Sequence, residues 1–353
     1  MAADLAGFDV RVAVEMTKHA VETYSLNLCT ELGTGPTIYN VDINELNPDE
    51  VFATHFGNRD ICDLMLGGPP CQGFSSHRIN NAGVDDPRND LIHTYFRFVK
   101  AFQPTCFLME NVPGMLWPRH KQYLTEFMTT GRAAGYHVFD PVVLDARNFG
   151  VPQRRKRVFI LGVLEGYLSR DLSWPPANTH GSPNLVAKDA SLKPWKSCES
   201  AFLPAEEDDP NDIHMVHGPE LTEAFAKTPP NGGSRKDSGR RLDCHKKHDG
   251  HNDVYGRIDP AQPGPTMTTA CFNPSKGRFV HPTANHGITL RQAARIQTFP
   301  DDFVFIGGLT PGGKQIGNAV PVDLGRVLIE HIKPMIASAR IHRESFVQER
   351  KKA

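Results

Sequence analysis

No run of about 18 apolar residues interrupts this chain, which excludes a bilayer-spanning helix. The N-terminus has neither the basic nor the apolar stretch of a secretory signal. Cysteine is sparse and odd in number: Cys29, Cys62, Cys71, Cys106, Cys198, Cys244 and Cys271, with no CxxC pair among the seven. That pattern reads as reduced thiols in a cytosolic protein. No internal repeat is visible. Net charge is also lacking, at −1 over 353 residues. This argues against a protein that is basic all over, yet a nucleic-acid partner needs only a local positive face. Two basic clusters qualify, Arg154 to Arg157 and Arg235 to Lys247, although either could be a solvated surface.

The residues that are present fit a globular protein with a real core: 39% are hydrophobic and 22% charged. Short apolar runs alternate with helical patterns in the first half. Strands are expected at Val10–Glu15, Thr37–Ile43, Leu64–Leu66, Thr105–Met109, His137–Leu144 and Arg157–Val163. Helices are expected at His19–Leu28, Leu91–Phe102 and Lys121–Ala134. Such alternation predicts an α/β fold with a doubly wound, mostly parallel sheet. Residues 166–285 turn rich in Pro, Gly, Asn and Ser, as in a smaller loop-rich domain or insertion. Beyond them the pattern predicts a short helix over Leu290–Ile296, capped by Thr289, and an amphipathic helix over Asp323–Ile336. Residues from about 340 onward are polar and expected to fray.

In open α/β sheets, ligands bind beyond the carboxyl ends of the strands. Glu15, Asp42, Cys71 and Glu110 all fall at such ends. Most cysteines are inert and buried, but Cys71 sits on a loop stiffened by Pro69 and Pro70 after two glycines. A fixed thiol there becomes a nucleophile if nearby positive charge lowers its pKa. Partial burial would keep the Glu110 carboxyl protonated and able to donate to a ring nitrogen; the bland alternative is a loop carboxylate. The arginines of Gln153-Arg154-Arg155-Lys156-Arg157 could hold phosphate or a base carbonyl.

Five segments in order resemble the DNA (cytosine-5) methyltransferase family: GGPPCQGFS at 67–75, ENVPG at 110–114, FGVPQRRKRVFI at 149–160, LRQAARIQTFPDDF at 290–303 and QIGNAVP at 315–321. The resemblance implies an S-adenosylmethionine-dependent methyltransferase fold, with a catalytic domain over 1–165 plus 311–353 and a target-recognition domain over 166–310. It implies that Cys71 attacks carbon-6 of a cytosine flipped out of double-stranded DNA, that Glu110 protonates or hydrogen-bonds nitrogen-3, that Arg157 contacts the base carbonyl and that Arg155 lies close to Cys71 and the phosphates. The cofactor contacts it implies are Glu15 at the ribose, Met16, Asp42 and Ile43 at the adenine, and Pro69 and Leu91 lining the pocket. Asn318, grouped with them, braces the surrounding loops.

The match departs from the family at the N-terminus. There the family has a strand, an FxGxGG loop and a helix, and Ala6-Gly7-Phe8 matches the segment just after that helix. The expectation is a sheet whose first strand is absent, in a truncated or mis-started chain or in one half of a split enzyme completed by an N-terminal fragment. Otherwise a monomer is expected, in a bacterial cytoplasm near the nucleoid and linked to restriction–modification. Transfer-RNA cytosine methylation and an inactive, partner-dependent DNA-binding fragment are the rival readings. No metal is expected, since Cys244, His245, His248 and His251 lack a standard four-ligand spacing.

Overall fold

The computed structural model describes residues 1–29, 35–57, 61–69, 90–239 and 253–352. Helix α1 (Ala2–Leu5) leads to β1 (Val12–Val14), α2 (Lys18–Leu28), β2 (Thr37–Tyr39) and α3 (Pro48–Phe56). Then come β3 (Leu64–Gly67), α4 (Asp90–Phe102), β4 (Cys106–Asn111), α5 (Lys121–Ala133), β5 (Tyr136–Val138), β6 (Val142–Asp145) and β7 (Lys156–Leu164). The predicted second strand is shorter than expected. After Tyr39 the chain turns, and the Asp42 side chain accepts from Asn44 N and caps a 3-10 turn over Ile43–Glu45. The single strand expected over His137–Leu144 is two strands, interrupted at Asp140-Pro141. Proline has no N–H to give a ladder.

The fold is α/β, and its main sheet is mixed. The order is β3-β4-β7-β5, with β6 also on β7. β3 runs parallel to β4, whereas β7 runs antiparallel to β4, β5 and β6. β1 and β2 form a separate parallel pair. The prediction of a mostly parallel sheet therefore holds for β1–β2 and β3–β4, while β7 reverses direction between its neighbours.

The described residues of 166–310 carry short elements, among them β8 (His180–Gly181), α6 (Pro183–Val186), β9 (Lys193–Pro194), α7 (Pro219–Lys227) and α8 (Leu290–Ile296). Thr289 caps α8, as predicted, and the structure adds a reciprocal box with Gln292. Buried Arg257 holds the loops together by donating to the carbonyls of Phe225, Thr228, His281 and Ala284 and to Asn285 Oδ1. Helix α9 (Leu309–Asn318) is not predicted by residue pattern, because its sequence LTPGGKQIGN is rich in helix-weakening residues. Tertiary packing overrides them: Gly317 lies so close to the Thr268–Thr269 backbone that a Cβ would fall 2.2 Å from Thr268 C. A long helix, α10 (Val322–Lys352), ends the chain.

Alternation along β4 builds two cores. Phe107 and Met109 meet Phe96, Phe127 and Met115 from the α4 and α5 side. Cys106 and Leu108 turn the other way, to Leu324, Leu328 and Ile332 of α10. Helices thus cover both faces, which is why β4 and β7 are almost wholly buried. Past residue 340, where fraying is expected, the backbone of α10 continues as helix, and Arg340 reaches Asp63 at 2.6 Å while Arg343 donates to Thr105 Oγ1 at 2.8 Å. Among the described residues, no helix is long and apolar enough to cross a membrane.

Candidate active site

The carboxyl ends of β3 and β4 lie side by side, in register from Leu64↔Cys106 to Gly67↔Met109. The chain leaves β3 through Gly67, where a Cβ would lie 2.2 Å from the Tyr95 ring. A Cβ on Gly68 would lie 3.5 Å from Glu110 Oε2, so the loop passes directly over that carboxylate. Asn111 Nδ2 donates to Pro69 O at 3.2 Å, and Asn111 Oδ1 accepts from Val112 N at 2.8 Å. Asn111 thereby pins the departing loop to the end of β4. Cys71 is two residues beyond Pro69 and lies outside the described residues.

Arg157, at the start of β7, places Nε 2.9 Å from Glu110 Oε1; the two side chains keep only 14% and 18% of their exposure. Burial raises the Glu110 pKa, and the charges of Arg157 and Arg155 partly oppose that rise. The result is a carboxyl group that takes up a proton more readily than an ordinary glutamate. Pairing with Arg157 also keeps it oriented.

Arg155 has a different place from the one the sequence suggests. It is fully buried, donating to Met267 O at 2.7 Å and to Gly317 O and Ala319 O at 2.8 Å. A guanidinium so engaged is turned away from solvent phosphate. Asn318 stands exposed between the two gripped carbonyls, at the end of α9. Sequence reasoning gives no role to Gln153 or Gln297, yet both are fully buried. Gln153 Nε2 donates to Gln297 Oε1 at 2.7 Å, Gln153 Oε1 accepts from Met267 N at 2.9 Å, and Gln297 Nε2 donates to Ala319 O at 3.1 Å. The available signal is the alternation of Gln153, Arg155 and Arg157 in an extended run, which turns all three to one side.

Four of the other predicted contacts, Glu15, Met16, Asp42 and Ile43, follow the strands of the β1–β2 pair. Glu15 Oε1 accepts from Thr17 N at 2.7 Å, and Asn40 Nδ2 donates to the carbonyls of Glu15 and Met16. Met16 is 67% exposed. Ile43 packs against the cluster of Val51, Phe98 and Phe102, so it contributes to the core as well. Thr94 Oγ1 donates to Asn44 Oδ1, which ties the α4 turn after Leu91 to the Asp42 turn. Glu110, Arg157 and Pro69 are thus brought together, while Glu15, Met16, Asp42 and Ile43 form a second group at the ends of the separate pair. In the other basic cluster, Arg235 is buried at 5% exposure. Arg240, Arg241, Lys246 and Lys247 lie outside the described residues, as do Cys244, His245, His248 and His251. No group of three or more His, Cys, Asp or Glu residues that could hold a metal occurs among the described residues.

Known proteins are similar to this chain over most of its length. The type II methyltransferase M1.HphI of Haemophilus parahaemolyticus is 31% identical over 335 residues, covering 94% of this chain and 82% of that protein. M.DdeI of Desulfomicrobium norvegicum is 31% identical over 366 residues, covering 93% and 84%. Among solved structures, a prophage-encoded DNA modification methyltransferase from E. coli superposes with a TM-score of 0.69 at 24% identity, over 95% of each chain. The Dnmt2 methyltransferase of S. pombe gives 0.58 at 17% identity, over 95% of this chain and 94% of that one. The C-5 cytosine-specific DNA methylase family matches residues 1–334, and the chain belongs to that family.

Proposed function

We propose that this chain methylates cytosine at carbon-5 within a specific site in double-stranded DNA, using S-adenosylmethionine and Cys71 as nucleophile. The observation that carries the reading is the mostly buried Glu110 carboxyl, paired with Arg157 and lying against the glycine loop that leads to Cys71. Attack of the thiolate on carbon-6 breaks the 5,6 double bond and drives electron density toward nitrogen-3. Glu110 meets it there with a proton. Arg157 donates to the base carbonyl from the same side. Carbon-5, now enamine-like, is nucleophilic. Loss of its proton after methylation restores the double bond and expels the thiolate. None of this geometry is reachable inside a stacked duplex, so the base is flipped out.

S-adenosylmethionine supplies an electrophilic methyl group when bound. The residues at the ends of β1 and β2 suit it chemically. The Glu15 and Asp42 carboxylates accept hydrogen bonds from hydroxyl and amino groups, and the exposed Met16 side chain offers an apolar surface to a purine. Pro69, Leu91 and Asn318 border the same region in this reading. Residues 166–310 supply target recognition, and 1–165 with 311–353 carry the chemistry. The reading is tested by offering tritiated S-adenosylmethionine with duplex DNA or transfer RNA. Label recovered as 5-methylcytosine in the duplex supports it; transfer to RNA alone contradicts it.

A further inference from the structure

The basic run leading into β7 is divided between two faces. Gln153 and Arg155 are fully buried and Arg157 is mostly buried against Glu110, while Arg154 and Lys156 are exposed. Among the described residues, no carboxylate forms an ion pair with either exposed cation. The cross-strand neighbour of Lys156, Asp145, is already held by Arg147 through two bonds of 3.1 and 2.7 Å. The backbone beneath Arg154 is fixed: its N–H donates to Gly264 O at 2.9 Å and its carbonyl accepts from Thr266 Oγ1. Lys156 is the immediate neighbour of Arg157, and Arg154 is three residues away. At about 3.4 Å per residue, both lie within roughly 10 Å of the backbone that presents Arg157 to Glu110.

We infer that Arg154 and Lys156 are the phosphate-binding residues that seat the DNA strand beside the reacting cytosine, in place of Arg155. The inference rests on the DNA-methylating function proposed above. Arg155 has its guanidinium committed to three carbonyls, whereas the two outward cations have no carboxylate partner among the described residues and stand on rigid backbone. Phosphodiesters are the anions that such cations meet beside a flipped nucleotide. The contacts add affinity by releasing counterions and carry no sequence information.

The test is equilibrium binding of the full chain to a short mixed-sequence duplex, read as log Kd against log salt concentration. Arg154→Gln and Lys156→Gln should each reduce the slope by about 0.9, and the double variant by about 1.8. Raising salt from 50 to 200 mM would then cost the double variant about tenfold less affinity than it costs the unsubstituted chain. Arg170→Gln, an exposed change beyond the far end of β7, should keep the original slope. Thermal unfolding should coincide for all four variants, because the altered side chains are exposed. An unchanged slope in the double variant, or an equal drop in Arg170→Gln, overturns the inference. Absence of any salt-dependent binding by the unsubstituted chain contradicts the DNA reading beneath it.

Discussion

Arg157 Nε stands 2.9 Å from Glu110 Oε1, and this pair joins the end of β4 to the start of β7. Burial pushes the carboxyl toward its neutral form, and the guanidinium pulls it back. Because the folded pKa is raised, the contribution of Glu110 to stability is full below the ordinary carboxyl range. It is lost as pH rises through the folded value.

Replacing Arg157 by Gln removes the nearest opposing charge, so the Glu110 pKa should rise further. The alkaline fall in methyl-transfer rate should then move to higher pH, on a profile that is lower throughout. Glu110→Gln should cost about 10²–10⁴ in rate at every pH and remove that limb. Single-turnover rates across the pH range check both. An unmoved limb in Arg157→Gln would contradict the coupling.

Arg155→Ala should act on stability first. It strips a donor from the carbonyls of Met267 and Gly317, while Ala319 O keeps its bond from Gln297. At about 1–3 kcal/mol per orphaned buried acceptor, denaturant unfolding should show a loss of about 2–6 kcal/mol. Arg155→Lys should recover only part of it, since one ammonium cannot span three carbonyls.

The Gln153–Gln297 amide pair should behave as a coupled unit. A double-mutant cycle of Gln153→Ala and Gln297→Ala should give a coupling of about 0.5–3 kcal/mol in unfolding free energy. Strict additivity would show that the 2.7 Å contact contributes nothing of its own.

The loops around His281 should weaken in acid. His281 is pushed down to about 4, by burial first and then by the charges of His286 and Arg257. Its Nδ1 accepts from Thr283 N at 3.2 Å and Ala284 N at 2.9 Å, a role that a protonated nitrogen cannot fill. A depressed value means that its contribution is present above the unfolded value of about 6.5 and is lost as pH falls toward 4. Urea midpoints measured from pH 7.5 to 4.5 should fall, and His281→Gln should flatten that dependence.

Much of this is legible in residue pattern. Strand-end placement picks out Glu110, the basic run and the family resemblance pick out Arg157, and the structure joins them; the capping box at Thr289 is readable from three residues of spacing. Direction within the sheet is not legible, because the reversal of β7 depends on pairing between segments far apart in sequence. The burial of Arg155 is also hidden. A basic run reads as surface until alternation is combined with the knowledge that α9 folds despite its glycines. Gln153 and Gln297 carry no charge; alternation hints at Gln153 alone, and their pairing emerges only from their joint burial.

The central claim is that Cys71 forms the covalent bond to cytosine. Duplex DNA containing 5-fluorocytosine at the target position, incubated with the chain and S-adenosylmethionine, tests it by trapping the adduct after methyl transfer. The account predicts a denaturation-resistant complex whose DNA-bearing peptide contains Cys71, and none with Cys71→Ser. An adduct that persists in Cys71→Ser, or that maps to another residue, would contradict it.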